Sequence, residues 1–134
     1  MKAATAKTRT RFENILFATD FSPAAAHAIP FVEKLARHFE SNLVALHVRP
    51  PVVNPMTLAT WPADLEAAKI VDQQHREELV ETFAGIDTEV MIEEGDIQTI
   101  LDNAFKKHNT DLLVIGTHGR TGLAKMLLAA CGES

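Results

Sequence analysis

Asn14-Ile15-Leu16-Phe17-Ala18-Thr19-Asp20-Phe21-Ser22-Pro23 is the stretch on which the fold turns. Ile15 to Ala18 are consecutively apolar with no alternation, which is the pattern of a strand buried on both faces rather than one that shows a side to water. Asp20 ends the run. Ser22 and Pro23 then supply a hydroxyl N-cap followed by proline at the first helical position, where its missing N–H costs nothing. A buried strand, a polar turn and a capped helix make the opening half of a βαβ unit.

The rest of the chain repeats that alternation. Ala28, Phe31, Val32, Leu35, Ala36 and Phe39 recur at helical spacing, with Pro30 inside the pattern as a source of a kink. Asn42 to Val48 is a second buried strand, stopped by Pro50 and Pro51. After a proline-rich loop that Trp61 packs against, Pro62 to Phe83 reads as a long helix with Leu65, Ala68, Val71, His75, Leu79 and Phe83 on one stripe. Thr88 to Ile92 predicts a strand nearer the sheet edge. Gly95–Asp96 opens a helix with Ile97, Ile100, Leu101, Ala104 and Phe105 inward. Asp111 to Ile115 is the clearest strand and runs into Gly116-Thr117-His118-Gly119-Arg120-Thr121-Gly122. The order βαβαβαβ with apolar strands favours a parallel sheet covered by helices and joined by right-handed crossovers.

Composition limits what such a domain does. The chain has 134 residues, 46% of them hydrophobic, and a net charge of −5, so it carries enough apolar surface for one core. No apolar run reaches the ~18–20 residues needed to cross a bilayer, and no membrane partner is expected. Lys2, Lys7, Arg9 and Arg11 make residues 1–11 a basic arm without a single acid, set on a domain at 12–134 that carries −9. An acidic body argues against duplex nucleic acid, whose phosphates need a basic face. A lone cysteine, Cys131, excludes an intrachain disulfide and a cysteine zinc site, and the expected setting is reducing and cytoplasmic.

Ligands of an open parallel sheet bind outside the carboxyl ends of its strands, where strand order reverses. Two segments bring polar or glycine-rich residues there. Asp20 either accepts hydrogen bonds from a ribose or an adenine amino group, or caps the helix behind it. Gly116, Gly119 and Gly122 either let backbone N–H groups approach a phosphate or only shape a turn. Their spacing matches neither the P-loop nor the dinucleotide fingerprint. Of six histidines, His47 and His118 are the two that a ligand could meet, the alternative being partnered structural histidines. No metal-ligand spacing occurs, Ser22 has no nucleophile elbow, and no catalytic set of base, nucleophile and oxyanion donors can be assembled.

Ile15 to Ser22, Leu46-His47-Val48 and Gly116 to Gly122, taken together, resemble the universal stress protein family over residue 12 to about 130. The resemblance implies a flavodoxin-like α/β fold, an open parallel sheet of order 3-2-1-4-5 with helices on both faces, and pairing through the fifth strand. It implies ATP, with Mg²⁺, as the ligand of many members. Ala18, Thr19 and Asp20 would border the adenosine, Val48 would pack on adenine, and Ile115, Gly116, His118, Gly119 and Arg120 would approach ribose and phosphates. The binding members continue, after nine intervening residues beyond the second glycine, with Gly-Ser/Thr, where this chain has Ala129 and Ala130.

Only four residues follow Ala130, too few for the family's last helix and strand. The expected sheet is therefore four strands in the order 3-2-1-4 with the fifth strand absent. Asp111–Ile115 would then be an open apolar edge that invites a homo-oligomer. The function implied is a stress-response module that binds adenine nucleotide or an unidentified protein partner. The alternatives are a dimeric stress protein that binds no nucleotide and an ATP switch with slow hydrolysis. A receiver or flavodoxin reading lacks its paired acids or its hydroxyl-rich loop.

Overall fold

A computed structural model describes residues 12–51, 61–118 and 124–130. The basic arm expected at residues 1–11 lies outside them. Eight elements follow in the order β1 (Asn14–Thr19), α1 (Pro23–Phe39), β2 (Asn42–Arg49), α2 (Pro62–Thr82), β3 (Thr88–Glu94), α3 (Ile97–Lys107), β4 (Leu112–His118) and β5 (Ala124–Ala130). The sheet order is β3-β2-β1-β4-β5. β1 lies parallel between β2 and β4, with Phe17 opposite both Ala45 and Val114. β2 pairs in parallel with β3. The parallel core 3-2-1-4 is thus the flavodoxin-like arrangement expected.

The fifth strand is a correction. Ala124–Ala130 runs antiparallel to β4, from His118 opposite Ala124 to Leu112 opposite Ala130. A parallel return would need a crossover of a dozen or more residues, whereas an antiparallel one needs only a short connection. The return also satisfies the row of backbone groups that β4 would otherwise leave open. β4 is therefore an inner strand, and among the described residues the outermost strand on this side is β5.

Alternation along the strands sends neighbouring residues to opposite layers. Ile15 and Phe17 of β1, Leu43 and Ala45 of β2 and Val114 of β4 meet Ala25, Ala28, Val32 and Ala36 of α1 on one face. Leu79 and Phe83, at the end of α2, complete that layer, and the Phe17 and Phe83 rings meet edge to face at 5.9 Å. Leu16, Val44 and Leu46 point the other way, onto Ala104, Ile100 and Phe105 around α3.

The helix ends follow the local chemistry. Ser22 caps α1 by accepting from Ala25 N–H at 3.2 Å, and Pro23 opens it. α1 runs through Pro30 as one element, with Pro30 and Ala26 both exposed, so the carbonyl freed at Ala26 faces water. Asp96 caps α3 by accepting from Thr99 N–H at 2.9 Å.

α2 departs from the expected stripe. Within it Leu79 alone is buried, while Leu65 and Val71 are exposed. A 21-residue helix rises about 31 Å, so its first turns overhang the end of a seven-residue strand. Arg49 ties the helix to the sheet: its Nε and Nη2 donate to Asp72 at 2.9 and 3.0 Å, and Nη1 lies 3.3 Å from Glu94.

Candidate functional site

The carboxyl ends of β1, β2 and β4 meet at one rim, because β1 has a neighbour on each side that continues in a different direction along the sheet. A cavity of about 70 Å³ opens there. Ala18, Thr19 and Asp20 form one side, Leu46 and Val48 a second, and Ile115 and Gly116 a third. Ile97, the first residue of α3, overhangs it.

Each wall has a local cause. Thr19 ends β1 at 7% exposure, and its Oγ1 accepts from Phe21 N–H at 2.9 Å. Asp20 accepts from Ser22 N–H through Oδ1 at 2.9 Å, an Asx turn that sends the chain into α1. Ser22, not Asp20, supplies the helix cap. The exposed Asp20 carboxylate therefore keeps Oδ2 for an incoming donor. Gly116 brings β4 close under α1, leaving no room for a side chain.

Phe21 holds a left-handed backbone at φ 60°, a strained conformation for an aromatic residue. Its ring stacks on His75 of α2 at 3.9 Å and meets His47 edge-on at 4.8 Å. Nδ1 of His47 donates to the Thr19 carbonyl at 2.8 Å, which fixes its tautomer. The trio lies on the α1/α2 layer, behind the rim and away from the cavity. His47 is thus a partnered structural histidine that braces β1.

Burial lowers the His75 pKa from its ordinary 6.5, and nearby His47 lowers it further, against the opposing pull of Glu78 and Asp72. The unfolded chain therefore takes up this proton before the folded one does. Stability is full above pH 6.5 and falls as pH drops through the folded value. Urea midpoints taken between about pH 8 and pH 5 should decline for the wild type and decline less for His75→Gln. Parallel declines would remove His75 as the cause.

Of the residues expected at the site, Ala18, Thr19, Asp20, Val48, Ile115 and Gly116 come together. His118 ends β4 at the same rim, while Gly119 and Arg120 lie outside the described residues. Ala129 and Ala130 are not brought in. They pair with Leu113 and Leu112, at the far end of β4, because β5 runs back down the sheet. Leu46 and Ile97 were not anticipated. Ile97 was expected inward, yet it is 55% exposed over the cavity. Its place directly after the Asp96 cap, at a strand's carboxyl rim, was the available signal.

A larger open groove of about 790 Å³ runs along the flank of α3 to Leu113 and shares Ile97 with the rim cavity. Among the described residues no three His, Cys, Asp or Glu side chains could hold a metal ion, and no helix is long and apolar enough to cross a membrane.

The family model described as the universal stress protein family matches residues 11–133. Universal stress protein A of Salmonella typhimurium is 30% identical over 113 residues, covering 80% of this chain and 76% of that protein. The universal stress protein UspA structure from Lactobacillus plantarum superposes with a TM-score of 0.58 at 26% identity, over 83% of this chain and 81% of the other. A universal stress protein solved in complex with cAMP shares the fold at 17% identity and a TM-score of 0.52, over 78% of this chain and 71% of the other.

Proposed function

The chain belongs to the universal stress protein family, and from that membership we propose that it is an adenine-nucleotide-binding module of the stress response, with ATP as its nucleotide. The rim cavity is the adenosine end of the site. Ala18, Val48 and Ile115 offer apolar surface to the adenine, and Ile97 adds a lid of the same character. Thr19 and Asp20 supply the polar contact, with Asp20 Oδ2 accepting from a ribose hydroxyl or the adenine amino group. Gly116 borders the ribose, and His118, Gly119 and Arg120 take the phosphates with their Mg²⁺.

One observation carries this reading: six residues drawn from three distant segments line a single cavity. A neighbour of the same fold that holds cAMP makes an adenosine occupant chemically reasonable. The cavity alone is far smaller than the ~300–1,000 Å³ of a whole ligand pocket, so it would seat the base and leave the phosphates above the rim. Module rather than catalyst is the reading, since Asp20 has no paired base or nucleophile beside it among the described residues; a switch with slow hydrolysis is the weaker alternative. Work in the cytoplasm as a homodimer belongs to the same proposal, with the outer edge of β5 as the pairing surface.

A dimeric stress protein that binds no nucleotide is the competing reading, favoured by the distance of Ala129 and Ala130 from the rim. Calorimetric titration with ATP, ADP and cAMP, with and without Mg²⁺, separates the two. Saturable binding with Kd in the micromolar range, about −8 kcal/mol, is the expected outcome. Asp20→Ala should then weaken it roughly tenfold or more, the worth of a hydrogen bond to a charged group. No binding of any of the three would establish the competing reading, and unchanged affinity in Asp20→Ala would remove Asp20 from the site.

A further inference from the structure

At the opposite end of the sheet, beneath the C-terminus of α3, lies a second cavity of about 260 Å³. Its polar walls are Asn14 and Asn42 at the starts of β1 and β2, Asp87 and Glu89 at the start of β3, and His108 and Thr110 where α3 turns into β4. Thr110 is 3% exposed, yet its Oγ1 has no hydrogen-bond partner; Nε2 of His108 is likewise buried and unpartnered. Buried polar atoms in folded proteins are nearly always paired, because an orphan loses its hydration without a replacement. Two of them on one cavity call for an occupant.

The chemistry left unused on the walls sets its sign. One amide N–H of Asn42 goes to Asn14 Oδ1, and one of Asn14 to the Asn109 carbonyl, both at 3.2 Å. The fixed charge on the walls is negative, from two carboxylates, and the carbonyl of Asn42 and the Thr110 hydroxyl can accept beside them. Among the described residues neither Asp87 nor Glu89 has an ion-pair partner. α3 also ends here, and a helix C-terminus is the negative end of its dipole. Lys106 in that last turn is held by Asp102 at 3.2 Å, and Lys107 is exposed and does not line the cavity.

We propose that this cavity is a second binding site, for an organic cation ending in a primary ammonium or guanidinium group. A bare metal ion does not suit it, since no three His or acidic side chains converge closely enough among the described residues. An ammonium offers three N–H donors and a guanidinium five. That is enough to reach the exposed carboxylates at the mouth and the orphaned atoms inside together. The cation has two sources with the same chemistry: a free amine, or Lys7, Arg9 and Arg11 of this chain, whose segment joins the described residues two positions before Asn14.

Titration of the full-length chain with agmatine, which carries one group of each kind, tests the proposal, read by NMR at the His108 ring and the Thr110 amide. A saturable shift in the wild type, absent with n-pentanol, supports a free amine. A shift seen only in Lys7→Gln/Arg9→Gln/Arg11→Gln supports occupation by the chain's own arm. In whichever background binds, Asp87→Asn/Glu89→Gln should weaken it roughly tenfold or more. Thr110→Val should also weaken it while keeping or raising the thermal midpoint, which separates a lost contact from a lost fold. No saturable shift at millimolar agmatine in either background overturns the proposal, as does undiminished binding in the carboxylate variant. ATP titration reads the other end of the sheet, so the two sites fail or succeed separately.

Discussion

Gly116→Ala is expected to destabilise the protein by about 3 kcal/mol, toward the upper end of overpacking costs. A Cβ at this position would sit 2.5 Å from Ala25 Cα, 2.7 Å from the Ala24 carbonyl oxygen and 2.9 Å from Ala25 N. All three are main-chain atoms in the first turn of α1, and none can rotate aside. That turn is anchored by the Ser22 cap and by Pro23, so relief requires the whole helix to lift from β4. Lifting it would loosen Ala25, Ala28 and Val32 over Val114, all fully buried. The thermal midpoint should fall by about 10 °C for a domain of this size. Truncating the facing side chain should not rescue it, so Gly116→Ala/Ala25→Gly should remain at least as unstable. An unchanged midpoint would mean that α1 and β4 do not touch here.

Phe83→Ala should cost about 4 kcal/mol, within the range for removing a large buried aromatic side chain. Phe83 is 1% exposed and sits at the end of α2, edge-on to Phe17. Leu79 is the sole buried residue within α2, so these two side chains supply most of the apolar attachment of a 21-residue helix. The Arg49–Asp72 pair adds a part-buried polar tie farther along. The variant should therefore lose stability and also expose α2 to protease ahead of the strands. Limited proteolysis with mass spectrometry reads the second effect directly. Cleavage that begins elsewhere would show that α2 is held by more than its C-terminal end.

The strands and helices of the parallel core were legible because each carries an unambiguous local signal. Ile15 to Ala18 and Leu112 to Ile115 are apolar without alternation, and Ser22–Pro23 and Asp96 mark helix starts that the structure keeps. β5 was not legible. A seven-residue run that is mostly alanine and leucine has good helix propensity and no period long enough to separate strand from helix. Pairing with the open side of β4 decided its state, and that is a tertiary event.

At the rim, Ala18 to Asp20, Val48, Ile115 and Gly116 were named through the resemblance to the universal stress protein family, whose motifs fall at these strand ends. Ala129 and Ala130 were assigned by spacing along the chain, which does not carry direction, and the reversal of β5 takes them away. The polar cavity under α3 was invisible for a different reason. Asn14, Asp87, His108 and Thr110 belong to no motif and meet only through the register of β1, β2 and β3.

The place of β1 between β2 and β4 also has a bearing on how the chain is made. Asn14 and Asp111, which meet where β1 and β4 begin, lie 97 positions apart. A ribosome adding ~5–20 residues per second takes roughly 5 to 20 s over that interval. During it β1, β2 and β3 can assemble, but one side of β1 stays unpaired and the rim has no third wall. Nothing shaped for that rim can be held by the nascent chain until Gly116 has left the exit tunnel. Binding there would report a chain made at least through β4, and a chain released before it would present an open strand to chaperones.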